Sequence, residues 1–221
     1  MKSTIYDLNT LTRTLPYFTK HNLSIVLNQK GSGLNYWIKK LITQKLLIPL
    51  KSGFYISPEY ETTQLINLEK RELYWVYIAN TLYAPSYVSL EYVLSRNGII
   101  PESVFAVTSI TLKRTRTFSS SPTTFIYRNL QQSYYYGYKL GVFTNGLTIR
   151  IADSPKALFD FLYFKPFVSK EYFEEYLFSE SRINWDALSN VEKNQFITYC
   201  KKSGSEKMNQ ISKIVQNHIT L

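Results

Sequence analysis

Residues 32 to 56 read Ser32-Gly33-Leu34-Asn35-Tyr36-Trp37-Ile38-Lys39-Lys40-Leu41-Ile42-Thr43-Gln44-Lys45-Leu46-Leu47-Ile48-Pro49-Leu50-Lys51-Ser52-Gly53-Phe54-Tyr55-Ile56. Leu34, Ile38, Leu41 and Ile42 recur at the three- and four-residue spacing of one buried helix face, over Gly33 to about Lys45. Ser32 stands where an N-cap is expected. Leu46 to Leu50 and Phe54 to Ile56 then form two short apolar runs joined by a Gly-containing turn, a β-hairpin signal. Upstream, Thr4 to Thr14 carries Ile5, Leu8, Leu11 and Leu15 on one face, and Pro16 stops it. Thr19 is placed to cap a second helix through Asn28 with Leu23, Val26 and Leu27 inward, and Gln29-Lys30-Gly31 is a turn. Three helices followed by a hairpin is the element order of a winged helix-turn-helix, here over residues 1–57.

Charge sharpens this reading. The 221 residues hold 26 Lys and Arg against 16 Asp and Glu, a net charge of +10. Residues 1–57 carry eight of those cations against Asp7 alone, +7; residues 58–155 carry nine against seven, and 156–221 nine against eight. A basic head on a near-neutral body suits a polyanionic partner. Charge alone serves equally well a small domain kept soluble by lysines; the element order tips the balance toward double-stranded DNA. The expected contacts are Lys20, Lys30, Ser32, Asn35, Tyr36, Lys39 and Lys40 around the third helix, whose free N–H groups suit a phosphate, and Lys51 and Ser52 at the hairpin tip. Against this stands the plain reading of a wetted amphipathic face on a module that binds another protein.

The body, residues 64–221, is expected to be mixed α/β, with an antiparallel sheet and C-terminal helices, so the chain as a whole reads as α+β. Pro58 to Thr63 is polar and reads as a linker. Leu65 to about Leu82 is helical, Tyr83-Ala84-Pro85 breaks it, and a short helix from Ser89 ends at Asn97-Gly98. Strands are expected at Val104 to Thr111, Thr124 to Arg128, Tyr138 to Thr144 and Leu147 to Ala152, the last two joined by the hairpin dipeptide Asn145-Gly146. Ser154 is placed to cap a helix with Pro155 at its first position, and three more helices follow, around Tyr172 to Leu177, Val191 to Lys202 and Lys207 to His218. With its own helices, hairpin and aromatic core, this body is expected to fold alone.

Several strings of the body carry a resemblance. These are Tyr87-Val88-Ser89-Leu90-Glu91-Tyr92-Val93-Leu94, Gly98-Ile99-Ile100-Pro101-Glu102, Val107-Thr108-Ser109 and Lys113-Arg114-Thr115-Arg116-Thr117-Phe118. Thr124-Phe125-Ile126-Tyr127-Arg128 and Ile151-Ala152-Asp153-Ser154-Pro155-Lys156-Ala157-Leu158-Phe159-Asp160 complete the set. In this order they resemble AbiEi-type antitoxins, over about residues 4 to 165. The resemblance implies a transcriptional autorepressor that binds inverted operator repeats in its own promoter. It also implies the antitoxin of a type IV toxin–antitoxin pair, opposing a nucleotidyltransferase-like toxin without a stable complex. A stand-alone regulator and a winged-helix adaptor for proteins are the alternatives.

The remaining chemistry-bearing residues read as structural. Lys113-Arg114-Thr115-Arg116 is the densest basic run; strand alternation puts Arg114 and Arg116 on one face, either a second phosphate clamp or a solvated sheet edge. Tyr134-Tyr135-Tyr136 suits a half-buried strand start better than a base-stacking platform. Asp153 reads as part of a cap and Asp160 as the partner of a nearby Lys or Arg. Cys200 reads as a small core residue, and His21 and His218 as surface residues. One cysteine and two distant histidines exclude a disulfide framework and a Cys-based zinc site. With no metal-ligand spacing, phosphate loop or nucleophile motif, neither catalysis nor a cofactor is expected. No signal segment or membrane-spanning window is read, so the expectation is a cytoplasmic protein without membrane contact.

Overall fold

The computed structural model describes residues 2–121, 123–166 and 168–219. Its first part holds three helices, α1 (Lys2–Thr14), α2 (Lys20–Val26) and α3 (Gly31–Thr43), and a small antiparallel sheet. In that sheet β3 (Phe54–Ile56) lies between β2 (Ile48–Lys51) and a strand the apolar pattern does not mark, β1 (Phe18–Thr19). Thr19 caps α2 as expected, its hydroxyl and the Asn22 side chain each bonding the other's backbone N–H. Ser32 is not the cap of α3. Gly31 turns the chain at φ +56, the helix is entered from Lys30 with no side-chain cap, and Ser32 lies inside the first turn. Leu8, Phe18, Leu23, Leu34, Ile38, Leu41, Leu47 and Tyr55 form the core of this part. The side chain of Ile5, expected beside them, lies outside the described residues.

The polar stretch read as a linker is a helix, α4 (Pro58–Gln64). Ser57 caps it by accepting from the Glu59 N–H at 3.2 Å, Pro58 occupies its first turn, and Tyr60 is buried. Glu59 reaches back to α1, accepting from the Thr12 hydroxyl at 3.0 Å and pairing with Arg13 at 3.3 Å.

Helix α5 (Leu68–Leu82), capped by Asn67, leads into a six-stranded sheet of order β6-β7-β5-β4-β9-β8. The strands are β4 (Ser86–Val88), β5 (Val107–Thr111), β6 (Arg116–Ser119), β7 (Thr124–Asn129), β8 (Tyr138–Thr144) and β9 (Leu147–Ala152). The sheet is mixed rather than antiparallel, because β4 runs parallel to β9 and β5 to β7. Helix α6 (Glu91–Arg96) follows β4 and ends at Asn97 and a left-handed Gly98. Helix α7 (Ser154–Tyr163) is capped by Asp153, not Ser154: the carboxylate accepts from the Lys156 N–H at 2.9 Å. Helices α8 (Lys170–Glu175), α9 (Asn190–Lys202) and α10 (Glu206–Ile219) complete the chain.

Alternation along β4 shows how the sheet is covered. Ser86 bonds the Ala79 carbonyl of α5, whereas Tyr87 bonds Asp160 of α7, so α5 and α7 lie on opposite faces. The hairpin of β2 and β3 is divided in the same way. Tyr55 belongs to the N-terminal core, while Leu50, Phe54 and Ile56 belong to the core of the body.

Candidate nucleic-acid interface

Helix α3 buries Leu34, Ile38 and Leu41 and turns Ser32, Asn35, Tyr36, Lys39 and Lys40 to solvent, with Tyr36 64% exposed. The three-and-four spacing of these outward residues makes them one stripe. Lys40 holds its ammonium 4.7 Å from the centre of the Trp37 ring. Lys20 is exposed at the start of α2, where its backbone N–H donates to the Gly53 carbonyl at 2.9 Å and so places it at the hairpin turn beside exposed Ser52. Lys30 is exposed at the entry to α3. Among the described residues no ion pair involves Lys20, Lys30, Lys39 or Lys40.

Lys51 does not stand free at the hairpin tip. Its ammonium donates to the Leu82 carbonyl at the end of α5, with the Phe54 and Phe118 rings 5.8 and 5.7 Å away. Burial pushes its pKa down, and Lys113 and Arg116 push it further. The hairpin thus brings a cation of the N-terminal part against the basic run of the body. Lys113 lies 5.3 Å from the Tyr83 ring, Arg116 lies 5.3 Å from the Phe118 ring, and Lys113, Arg114 and Arg116 are exposed.

Arg114 and Arg116 do not share a strand face, because β6 begins only at Arg116. The preceding bend is held by Asn129, whose side chain donates to the Lys113 carbonyl at 2.9 Å and whose N–H donates to the Thr115 hydroxyl at 3.0 Å.

The acids and tyrosines of the body converge on a closed site. Lys156 and Asp160 form an ion pair at 2.6 Å, both side chains 0% exposed. Asp160 accepts from the Tyr87 hydroxyl at 2.9 Å and the Ser89 hydroxyl at 2.7 Å, and Lys156 donates to the Tyr134 carbonyl at 3.0 Å. Burial drives the Asp160 carboxyl up and the Lys156 ammonium down, and their contact opposes both shifts. Asp153 faces elsewhere, toward its cap and the Tyr199 hydroxyl, so the two aspartates make no paired site.

Tyr134-Tyr135-Tyr136 is not a strand start. Residues Gln132–Tyr134 form a 3₁₀ turn, and the Tyr135 and Tyr136 rings pack against Tyr87 and Tyr199. The four-residue spacing of Lys156 and Asp160 is the signal that identifies the ion pair; nothing local marks its burial. Cys200 is buried and its thiol is pushed up by desolvation. His21 is exposed, and His218 stacks on Phe178 at 3.9 Å.

Among the described residues no three His, Cys, Asp or Glu side chains gather as a metal site, and no helix is long and apolar enough to cross a membrane. No protein-family model matches this chain, and neither does any curated protein.

Proposed function

We propose that residues 1–57 form a winged helix-turn-helix that binds double-stranded DNA, with α3 as the helix lying in the major groove. The observation that carries the reading is the outward stripe of α3, where hydrogen-bonding residues and lysines stand exposed and, among the described residues, no acid pairs with them. In this reading Lys20 and Ser52, together at the hairpin turn, meet a neighbouring backbone. Lys51, Lys113, Arg114 and Arg116 would add charge where the body meets the hairpin. On the resemblance to AbiEi-type antitoxins, the chain is further proposed to be a cytoplasmic autorepressor, without chemistry of its own or a cofactor. The same resemblance makes it the antitoxin opposing a nucleotidyltransferase-like toxin.

The test is binding of the full chain to the DNA upstream of its own gene across a salt series. Replacing both Lys39 and Lys40 with Ala should weaken binding and reduce the slope of log affinity against log salt by about 1.8, since each phosphate contact contributes about 0.9. Both positions are exposed, so the fold should be unaffected. An unchanged slope in the folded double variant would remove α3 from the interface. Ile25 and Tyr36, 65% and 64% exposed, are large side chains a protein-binding module would use, and salt-independent capture of a protein that is lost on replacing either would favour the adaptor reading.

A further inference from the structure

Resting on the reading of α3 as the groove-binding helix, we infer that Asn35 reads an adenine and fixes one base pair of the recognised site. Asn35 lies in the second turn of a 13-residue helix, exposed, between Ser32 and Lys39 on the outward stripe. In this docking mode the N-terminal residues of the helix meet the base edges. Among the described residues its carboxamide has no hydrogen-bond partner within the protein, so one N–H₂ donor and one carbonyl acceptor are available side by side.

That pair is the complement of adenine in the major groove, where N7 accepts and the N6 amino group donates. Guanine presents two acceptors at the same places and would leave the Asn35 carbonyl facing O6. The exposed stripe holds no arginine, the side chain that most often reads guanine. Lys39 and Lys40 supply point charges suited to phosphate oxygens. Asn35 is therefore the residue of the stripe whose carboxamide sets a donor and an acceptor side by side, the pattern that adenine complements.

The experiment is selection of bound duplexes from a pool with a randomised central segment, using the full chain and its Asn35→Ala and Asn35→Arg variants. The wild type should enrich an adenine at one fixed position. Asn35→Ala should lose about 5- to 150-fold of that preference, the value of one bidentate base contact, while its salt slope stays unchanged. Asn35→Arg should replace the adenine by guanine at the same position. Enrichment of the same base by all three proteins overturns the inference. So does a wild type that binds with a steep salt dependence yet selects no base; the DNA-binding reading would then stand without it. A chain that binds no duplex in a salt-dependent way removes both.

Discussion

Lys156 and Asp160 lie 0% exposed on successive turns of α7, where an isolated charge would be intolerable. They persist because each has partners: Asp160 takes two hydroxyls and the ammonium, and Lys156 adds the Tyr134 carbonyl. Lys156→Met should leave the carboxylate facing two hydroxyls alone and cost about 3–5 kcal/mol, whereas pairing it with Asp160→Leu should recover most of that loss. Urea unfolding of the two variants measures this, and equal losses in both would show that packing rather than charge sets the cost. The site was half legible. Asp160 invites a basic partner at helical spacing, but its burial depends on Tyr87 in β4 and Ser89 just after it, about 70 residues earlier in the chain. Lys207 gives a pH effect. Its ammonium donates to the Tyr163 and Lys165 carbonyls, and burial lowers its pKa from 10.5 to about 8. Between those values the unfolded chain binds the proton more tightly, so this group adds stability as pH rises through that window. Lys207→Met should therefore show a smaller gain, or a steeper loss, of the urea midpoint from pH about 8 to pH 10.5, and identical slopes would refute it.

Elements were legible where periodicity is local and lost where an element is short or finds its reason in a distant partner. The helix at 31–43, the hairpin after it and the Asn145-Gly146 hairpin each declare themselves within about a dozen residues. Strand β1 is two residues long and exists because Phe18 and Thr19 face Tyr55 and Phe54. Strand β4 is buried on both faces, so Ser86-Tyr87-Val88 shows no alternation, and β6 is nearly all exposed. Helix α4 is misread as a linker because its residues are polar, although Ser57-Pro58 followed by two glutamates is a helix start. That cap is testable: Ser57→Ala should cost about 1 kcal/mol in a thermal or urea melt. It should also loosen the Glu59 contacts with Thr12 and Arg13, because the first turn of α4 presents that carboxylate to α1. A variant as stable as the parent would mean that Pro58 and the packing of Tyr60 suffice to start the helix.

At the scale of the molecule, the hairpin decides how the two parts relate. Its Phe54 ring stacks on Tyr17 at 4.8 Å, Tyr17 meets Tyr77 of α5 at 6.2 Å, and Tyr74 donates its hydroxyl to the Pro16 carbonyl at 2.9 Å. Leu50, Phe54 and Ile56 share one core with Tyr74, Ile78 and Leu82. A body cut free after residue 57 would lose Leu50, Phe54 and Ile56 from that core, the Tyr74 bond to the Pro16 carbonyl and the Lys51 contact with the Leu82 carbonyl. Sequence alone gives the body enough helices, strands and apolar residues to stand by itself, because it cannot show that one face of the hairpin is buried in it. The expected outcome is that residues 58–221 alone lack a cooperative unfolding transition, while the full chain unfolds in one step. Phe54→Ala tests the same joint without a truncation. It should cost about 3–5 kcal/mol, and tyrosine fluorescence and far-UV dichroism should still report a single coincident midpoint. Two separated midpoints in the full chain, or a fragment that melts sharply at the parent temperature, would show that the parts fold independently. If the joint is shared, the proposed repression and the proposed toxin rescue should fall together on truncation, and the exposed lysines of α3 should be where the two come apart: Lys39→Ala with Lys40→Ala should weaken promoter binding while a folded body still rescues.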